Sequence, residues 1–228
     1  MNFIVAACTQ WHQDIFKKRV KQLDGSWYFA DSPTSLSALF DKLDSIEYIF
    51  FLHWREIVPT EHLERYNCVC FHMTDLPYGR GGSPLQNLIL AGHKETQVCA
   101  LQMTEILDAG PVYLRKPLLL TGNAQQIYER AAEISWDLIK EMIEENPVPE
   151  IQQGSPTHFK RRSPEQSELP INLSNTELYD FIRMLDADGY PHAYIEINGY
   201  RISFNAAELR PDTLEAKATI SKIEEDQA

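Results

Sequence analysis

The chain has 228 residues, 43% hydrophobic and 24% charged, the balance of an ordinary globular protein with one domain and room for an appendage. A formal net charge of −12 argues against tight nonspecific binding to nucleic acid or to an anionic membrane. The apolar runs are too short to span a bilayer and the first residues lack a signal peptide's basic start, so a cytoplasmic protein is expected.

Asn2 to Cys8 is a continuous apolar run, as expected of a strand buried on both faces. His12 to Leu23 follows with helical spacing at Ile15, Phe16, Val20 and Leu23. Ser26 to Ala30 reads as a strand, and Ser32 or Thr34 caps a helix reaching Asp44. Glu47 to Trp54 and Cys68 to His72 are two more apolar runs, separated by a short helix that starts at Pro59 and Thr60. Strands alternating with helices predict a Rossmann-like α/β fold, with a mostly parallel sheet and helices on both faces. Ligands bind such sheets beyond the carboxyl ends of the strands, and His72 lies at one of these ends.

Thr74 to Gly82 (TDLPYGRGG) is a Pro/Gly-rich loop carrying Arg80. Ser83 and Pro84 read as an N-cap and first helical residue. Gln97–Met103 and Val112–Leu120 read as strands around a Gly-terminated turn that holds Asp108. Asn123 with Gln126 predicts a capping box, and Ile127, Ala131, Ile134, Leu138 and Met142 trace one helical stripe. This catalytic part is expected over residues 1–150. Residues 151–170, rich in Pro, Gln, Ser and charge, read as a surface linker containing Lys160, Arg161 and Arg162. That basic trio reads as a solvated cluster or as a partner for phosphate groups. Residues 171–228 predict a small helix capped by Ser174 and Glu177 and stopped by Gly189. A β-hairpin turning at Asn198–Gly199 follows, with a frayed charged tail from Glu215.

Cys8, Cys68, Cys70 and Cys99 read as reduced core thiols. Cys68 and Cys70 are too close together for the usual zinc pattern, and no metal site is expected. The imidazole of His72 and the carboxylate of Asp108 can share one cleft, and such a pair can move a proton during acyl transfer. Trp11, just after the first strand, is a candidate wall for a substrate pocket.

The loop HMTDLPYGRGGSP resembles the His-x-Ser-Leu-Leu-Pro…Arg-Gly…Pro signature of folate-dependent formyltransferases, and the segment ending LDAG resembles that family's second signature. The likeness covers Ile49 to Val112 well. FKRRSPEQSEL and LYDFIRMLDADGYPHA extend it toward nucleotide-sugar N-formyltransferases, and MTDLPYGRGGSPLQNLI resembles the short ones, including the pseudaminic-acid-pathway type. The resemblance implies transfer of a formyl group from the co-substrate N10-formyltetrahydrofolate to an amine. His72 and Asp108 would then be catalytic. Ile57, Val58, Glu105, Ile106 and Asp108 would line the folate pocket, and Trp11, Thr74 and Arg80 would contact the acceptor. The favoured acceptor is a nucleotide-linked amino sugar, a UDP-4-amino-4,6-dideoxy sugar. An aminoacyl group on a carrier or tRNA, or an inactive folate- or nucleotide-binding homologue, is the alternative. A homodimer through the carboxy-terminal hairpin is a further expectation. One residue departs from the pattern. Cys70 stands where the family usually has an Asn as oxyanion donor, which leaves Asn87, Gln86, a water or His72 itself for that role.

Overall fold

The apolar runs of the amino-terminal half become strands because a central sheet can bury both their faces. The computed structural model describes residues 1–223. Its elements begin with β1 (Asn2–Ala6), α1 (Gln10–Arg19), β2 (Ser26–Ala30), α2 (Pro33–Lys42), β3 (Tyr48–Phe51), α3 (Thr60–Arg65) and β4 (Cys68–His72). Then come β5 (Arg80–Gly81), α4 (Pro84–Leu90), β6 (Glu95–Gln102), β7 (Val112–Leu119) and α5 (Ala124–Glu145). The last are β8 (His158–Phe159), α6 (Asn175–Arg183), β9 (Ala193–Ile197), β10 (Tyr200–Leu209) and β11 (Leu214–Lys222). The chain forms two compact units. The first holds Met1–Gly81, Glu95–Leu118 and Glu129–His158; the second holds Gly82–Lys94, Leu119–Tyr128 and the chain from Phe159 onward.

The first unit is built on a six-stranded sheet of order β2-β1-β3-β4-β6-β7. β1 runs parallel to β2 and β3, and β3 to β4, while β6 is antiparallel to β4. The mostly parallel α/β architecture expected from the sequence is therefore present. The chain leaves β1 for β2 on one side and returns to β3 on the other. The carboxyl ends of β1 and β3 thus flank a topological switch point, and His72 ends the neighbouring strand.

Side-chain alternation divides the core into two layers. On one face Phe3, Trp27 and Trp136 form a ladder, with Phe3 4.6 Å from Trp27 and Trp27 6.0 Å from Trp136. Phe16 of α1 meets Trp136 of α5 at 6.1 Å, so these two helices cover that face. On the other face Ile4, Ala6, Ile49, Phe51 and Cys68 pack with Leu36 of α2. α2 starts where expected, with Ser32 accepting the Ser35 N–H and Pro33 in the first turn.

In the second unit Asn123 and Gln126 close the predicted capping box at the start of α5. Ser174 and Glu177 do the same for α6. That helix ends at Arg183, well before Gly189, with Met184 as its C-cap and the Met184 N–H donating to the Asp180 and Ile182 carbonyls. Gly189 instead takes a left-handed φ of 76° in a following turn. Asn198 (φ 51°) and Gly199 (φ 77°) make the predicted hairpin turn, both in the region a type I′ turn requires.

The tail from Glu215 departs from expectation. Through Lys222 it is strand β11, paired antiparallel with β10 from Leu209↔Leu214 to Tyr200↔Lys222. The hairpin is thus part of a three-stranded sheet of order β11-β10-β9. Nearly all of β11 is solvent-exposed, so its pairing rests on the backbone ladder and leaves little hydrophobic signal. The rest of the expected frayed tail, 224–228, lies outside the described residues. Ile197, Tyr200 and Ile220 lie on one face of this sheet and are 47–65% exposed.

The stretch 151–170 is more structured than a linker. Ser163 and Gln166 cap a 3-10 turn at Pro164–Ser167. The Arg162 main-chain N–H donates to Ser83 Oγ, and its guanidinium donates to the Gln166 carbonyl and lies 5.7 Å from the Phe181 ring. Arg162 is therefore a packing residue, while Lys160 and Arg161 are exposed. Ser83 opens α4 in sequence but does not cap it with its side chain. It sits at φ 50°, and its hydroxyl serves Arg162.

Candidate functional site

Three segments of the first unit meet at the carboxyl end of β4. The strand delivers His72, 8% exposed, at its last residue. The loop after it turns back through Tyr78 and Gly79, so that the Gly79 carbonyl lies 2.8 Å from His72 Nε2. Thr157 braces this loop by accepting the Gly79 N–H at 2.7 Å. The third segment is the turn between β6 and β7. It carries Asp108 in a left-handed conformation (φ 53°) and places its Oδ2 3.6 Å from His72 Nδ1. The Gly81 N–H donates to the same carboxylate oxygen at 2.8 Å. The expected meeting of His72 and Asp108 is present.

The geometry fixes the proton on the ring. A carbonyl only accepts, so His72 Nε2 must carry the hydrogen that Gly79 receives. The neutral imidazole then presents a bare Nδ1 to Asp108. Two acceptors 3.6 Å apart attract only when a proton or a water joins them. The pair is thus arranged to capture a proton at Nδ1 and to stabilise the imidazolium that results.

The other site candidates divide. Val58 is 9% exposed and belongs to the core, whereas Ile57 is 95% exposed. Ile106 and Leu107, on the Asp108 turn, are each 68% exposed, and Glu105 beside them is exposed too. Thr74, expected at the acceptor, is instead completely buried. Its hydroxyl donates to the Gly79 carbonyl and its own carbonyl accepts from the Cys99 thiol. Its polar groups are used inside the loop, so it is not an acceptor contact. Arg80 directs Nε and Nη2 to the side-chain oxygen of Gln152, at 3.2 and 2.8 Å, and so organises the loop.

Trp11 stacks on His12 at 4.0 Å, and His53 lies 5.8 Å from the indole. This aromatic group follows β1 and β3 at the switch point. Burial, and His53 nearby, push His12 down to about 3. Burial, with Arg55 adding to it, takes His53 to about 4.

Cys70 does not replace a hydrogen-bonding amide. Burial, followed by the nearby Asp108 carboxylate, pushes its thiol well up, and the group packs against a cluster of Leu76, Cys99, Leu101 and Val112. The two side-chain amides considered as substitutes are engaged elsewhere in the second unit. Asn87 donates to the carbonyls of Gly82, Ser83 and Lys160. Gln86 donates to Tyr128 Oη and the Met184 carbonyl. Gln152, within the polar stretch expected to be a linker, instead packs on the Asp108 turn, donating to the carbonyls of Asp108 and Gly110. A lone Gln in a polar segment gives no signal of a long-range contact. Among the described residues no cluster of three His, Cys, Asp or Glu side chains could hold a metal ion, and no helix is long and apolar enough to cross a membrane.

A family model described as the methionyl-tRNA formyltransferase C-terminal domain matches residues 164–221. A solved structure of methionyl-tRNA formyltransferase from Clostridium thermocellum is similar over 97% of this chain and 99% of that one, with 40% identity and a TM-score of 0.93. The chain belongs to the formyltransferase family. A methionyl-tRNA formyltransferase of Streptococcus pyogenes is 32% identical over 146 residues, which is 60% of this chain and 46% of that protein. The chain spans about half the length of the curated relatives it matches. A sugar N-formyltransferase from a Shewanella species covers 92% of this chain and 99% of its own, at 17% identity and a TM-score of 0.67, and shares the fold. Family membership thus agrees with the motifs around His72 and Asp108. The higher identities, 40% and 32%, are to methionyl-tRNA formyltransferases, whereas the sugar N-formyltransferase structure shares the fold at 17%.

Proposed function

We propose that this chain transfers the formyl group of N10-formyltetrahydrofolate to the amino group of an aminoacyl acceptor such as methionyl-tRNA, with His72 and Asp108 as the catalytic pair. The observation that carries the chemistry is the orientation of the His72 ring. Nε2 is held by the Gly79 carbonyl and Nδ1 faces Asp108. In this reading the neutral amine attacks the formyl carbon and a tetrahedral oxyanion forms. The ammonium proton passes to His72 Nδ1, directly or through water. The imidazolium beside Asp108 stabilises the developing negative charge and returns the proton to the folate nitrogen as its bond to carbon breaks. With a thiol at residue 70, the imidazolium carries more of the oxyanion's stabilisation.

Ile57 and Ile106, apolar and open to solvent, suit the two walls of a flat heteroaromatic ring, with Val58, Glu105 and Asp108 supplying backbone groups beside them. Similarity to methionyl-tRNA formyltransferases supports the aminoacyl acceptor. A nucleotide-linked amino sugar is the second reading, favoured by the net charge of −12, which opposes general RNA affinity. Incubation with formyl-folate and either methionyl-tRNA or a panel of UDP- and dTDP-amino sugars, read by mass gain, decides between them. Formylation of a sugar alone would reject the aminoacyl reading. Folate binding without turnover of any amine would leave an inactive homologue. The exposed sheet face at Ile197, Tyr200 and Ile220 gives a second copy a place to associate, and light scattering that shows only monomer at tens of micromolar would reject this.

A further inference from the structure

Gln152 makes four side-chain contacts around the catalytic turn. Its Nε2 donates to the carbonyls of Asp108 and Gly110, both at 2.8 Å. Its Oε1 accepts from Arg80 Nε and Nη2. Both donor hydrogens and both acceptor directions of the amide are therefore in use. Two residues earlier, Glu150 exchanges backbone hydrogen bonds with Val112 of β7, at 2.8 and 2.9 Å, which fixes the segment carrying Gln152.

We infer that Gln152 is a positioning residue that sets the Asp108 carboxylate against His72, an inference that rests on the catalytic reading of that pair. Asp108 is a non-glycine residue at φ 53°, a disfavoured conformation that persists only where its surroundings impose it. Gln152 holds that residue's carbonyl. The next fixed point is Gly110, where a Cβ would lie 1.8 Å from the Gln102 carbonyl oxygen, so this end of the turn is pressed onto β6. The carboxylate is held separately by the Gly81 N–H. Gly81 directly follows Arg80, the other partner of Gln152. One amide thus ties down the main chain of the catalytic aspartate and the strand that donates to its side chain. Removing the tie frees Asp108 to leave its conformation, which displaces the negative charge that His72 Nδ1 meets.

Gln152→Glu isolates the donor role. It keeps the size of the side chain and its acceptor for Arg80, but turns an oxygen toward two carbonyls. Gln153→Glu adds the same charge one residue away, on an exposed side chain. The full chain is assayed with formyl-folate and the acceptor it formylates. Gln152→Glu and Gln152→Ala are expected to lower kcat about 10- to 100-fold and to displace the pH–rate profile, with KM changed less than about 3-fold. Gln153→Glu is expected to match wild type. A Gln152→Glu variant with the wild-type kcat and pH profile overturns the inference, and so does a raised KM at unchanged kcat. The 15N signals of the His72 ring in the substrate-free protein give a second readout, expected to differ between wild type and Gln152→Ala. Superimposable signals over pH 5–9 overturn the inference too. If wild type formylates no amine, the functional reading fails and the ring signals still test the role of Gln152.

Discussion

His72 turns Nδ1 toward Asp108 Oδ2, 3.6 Å away, because its other nitrogen is committed to the Gly79 carbonyl. The loop therefore selects the ring tautomer before any substrate arrives. With Nε2 protonated, the basic lone pair is the one beside a carboxylate, where added positive charge is favoured. Leaving Nδ1 and Oδ2 too far apart for a direct hydrogen bond keeps room for a transferring proton or a bridging water.

Removing either partner should abolish most of the turnover. His72→Ala and Asp108→Asn are each expected to lower kcat by about 10²- to 10⁴-fold, the range for loss of positioned acid–base catalysis. Asp108→Asn is informative because its amide can donate to Nδ1 and occupy the lone pair that must take the proton. Single-turnover formylation, with folate binding measured separately by fluorescence, would show this. Unimpaired turnover in either variant contradicts the assignment.

Much of this arrangement is legible in the sequence, for a local reason. His72 closes an apolar run, Asp108 sits before Ala–Gly in a short turn, and the apolar runs report β1, β3 and β4 directly. Gln152, by contrast, acts on residues more than forty positions away, and nothing in its neighbours encodes that contact. β11 is similarly hidden, because a strand exposed along nearly its whole length satisfies its backbone without a hydrophobic period. Thr74 shows the opposite failure. Its place in the signature loop suggests an acceptor contact, but loop closure buries it and uses its hydroxyl internally.

The thiols should differ sharply in reactivity. Cys8 is exposed. Burial pushes Cys68 up to about 12 and Cys99 up to about 11, and it raises Cys70 well above the ordinary thiol range with Asp108 adding to the effect. The thiolate is the reacting form, so iodoacetamide at pH 8 should label Cys8 in the native protein and the other three only after unfolding. Peptide mass mapping provides the readout. Rapid native labelling of Cys70, which is partly buried, would contradict the upward push on its thiol.

Arg183 should prove a major support of the second unit, though in sequence it reads as an ordinary charged helix residue. It is 4% exposed, pairs with Asp180 Oδ1 at 2.6 Å, and donates to the carbonyls of Leu120 and Gly122 at 2.7 and 2.8 Å. Arg183→Leu leaves a carboxylate and two carbonyls with fewer partners in a water-poor place. The expected destabilisation is about 3–5 kcal/mol. Arg183→Lys, which keeps the charge but not the guanidinium fork, should lose less. Urea midpoints measure both, and a change under about 0.5 kcal/mol for Arg183→Leu would remove the claim.

The buried His12 makes stability depend on pH in a definite direction. Its side chain is held down to about 3 by burial, with His53 contributing, and both ring nitrogens are without a hydrogen-bond partner. In the unfolded chain the ring returns to an ordinary value near 6.5. Between those two values the unfolded state binds a proton that the folded state does not. Stability is therefore complete above about pH 6.5 and falls as the pH drops toward 3, by at most about 1.4 kcal/mol per pH unit from this group. His53, lowered to about 4, acts with the same sign. His12→Phe removes one of the two proton sites while keeping a flat ring against Trp11. Its urea midpoint should fall less between pH 7 and pH 5 than that of wild type. Parallel pH dependences for the two proteins would show that His12 takes up its proton while folded.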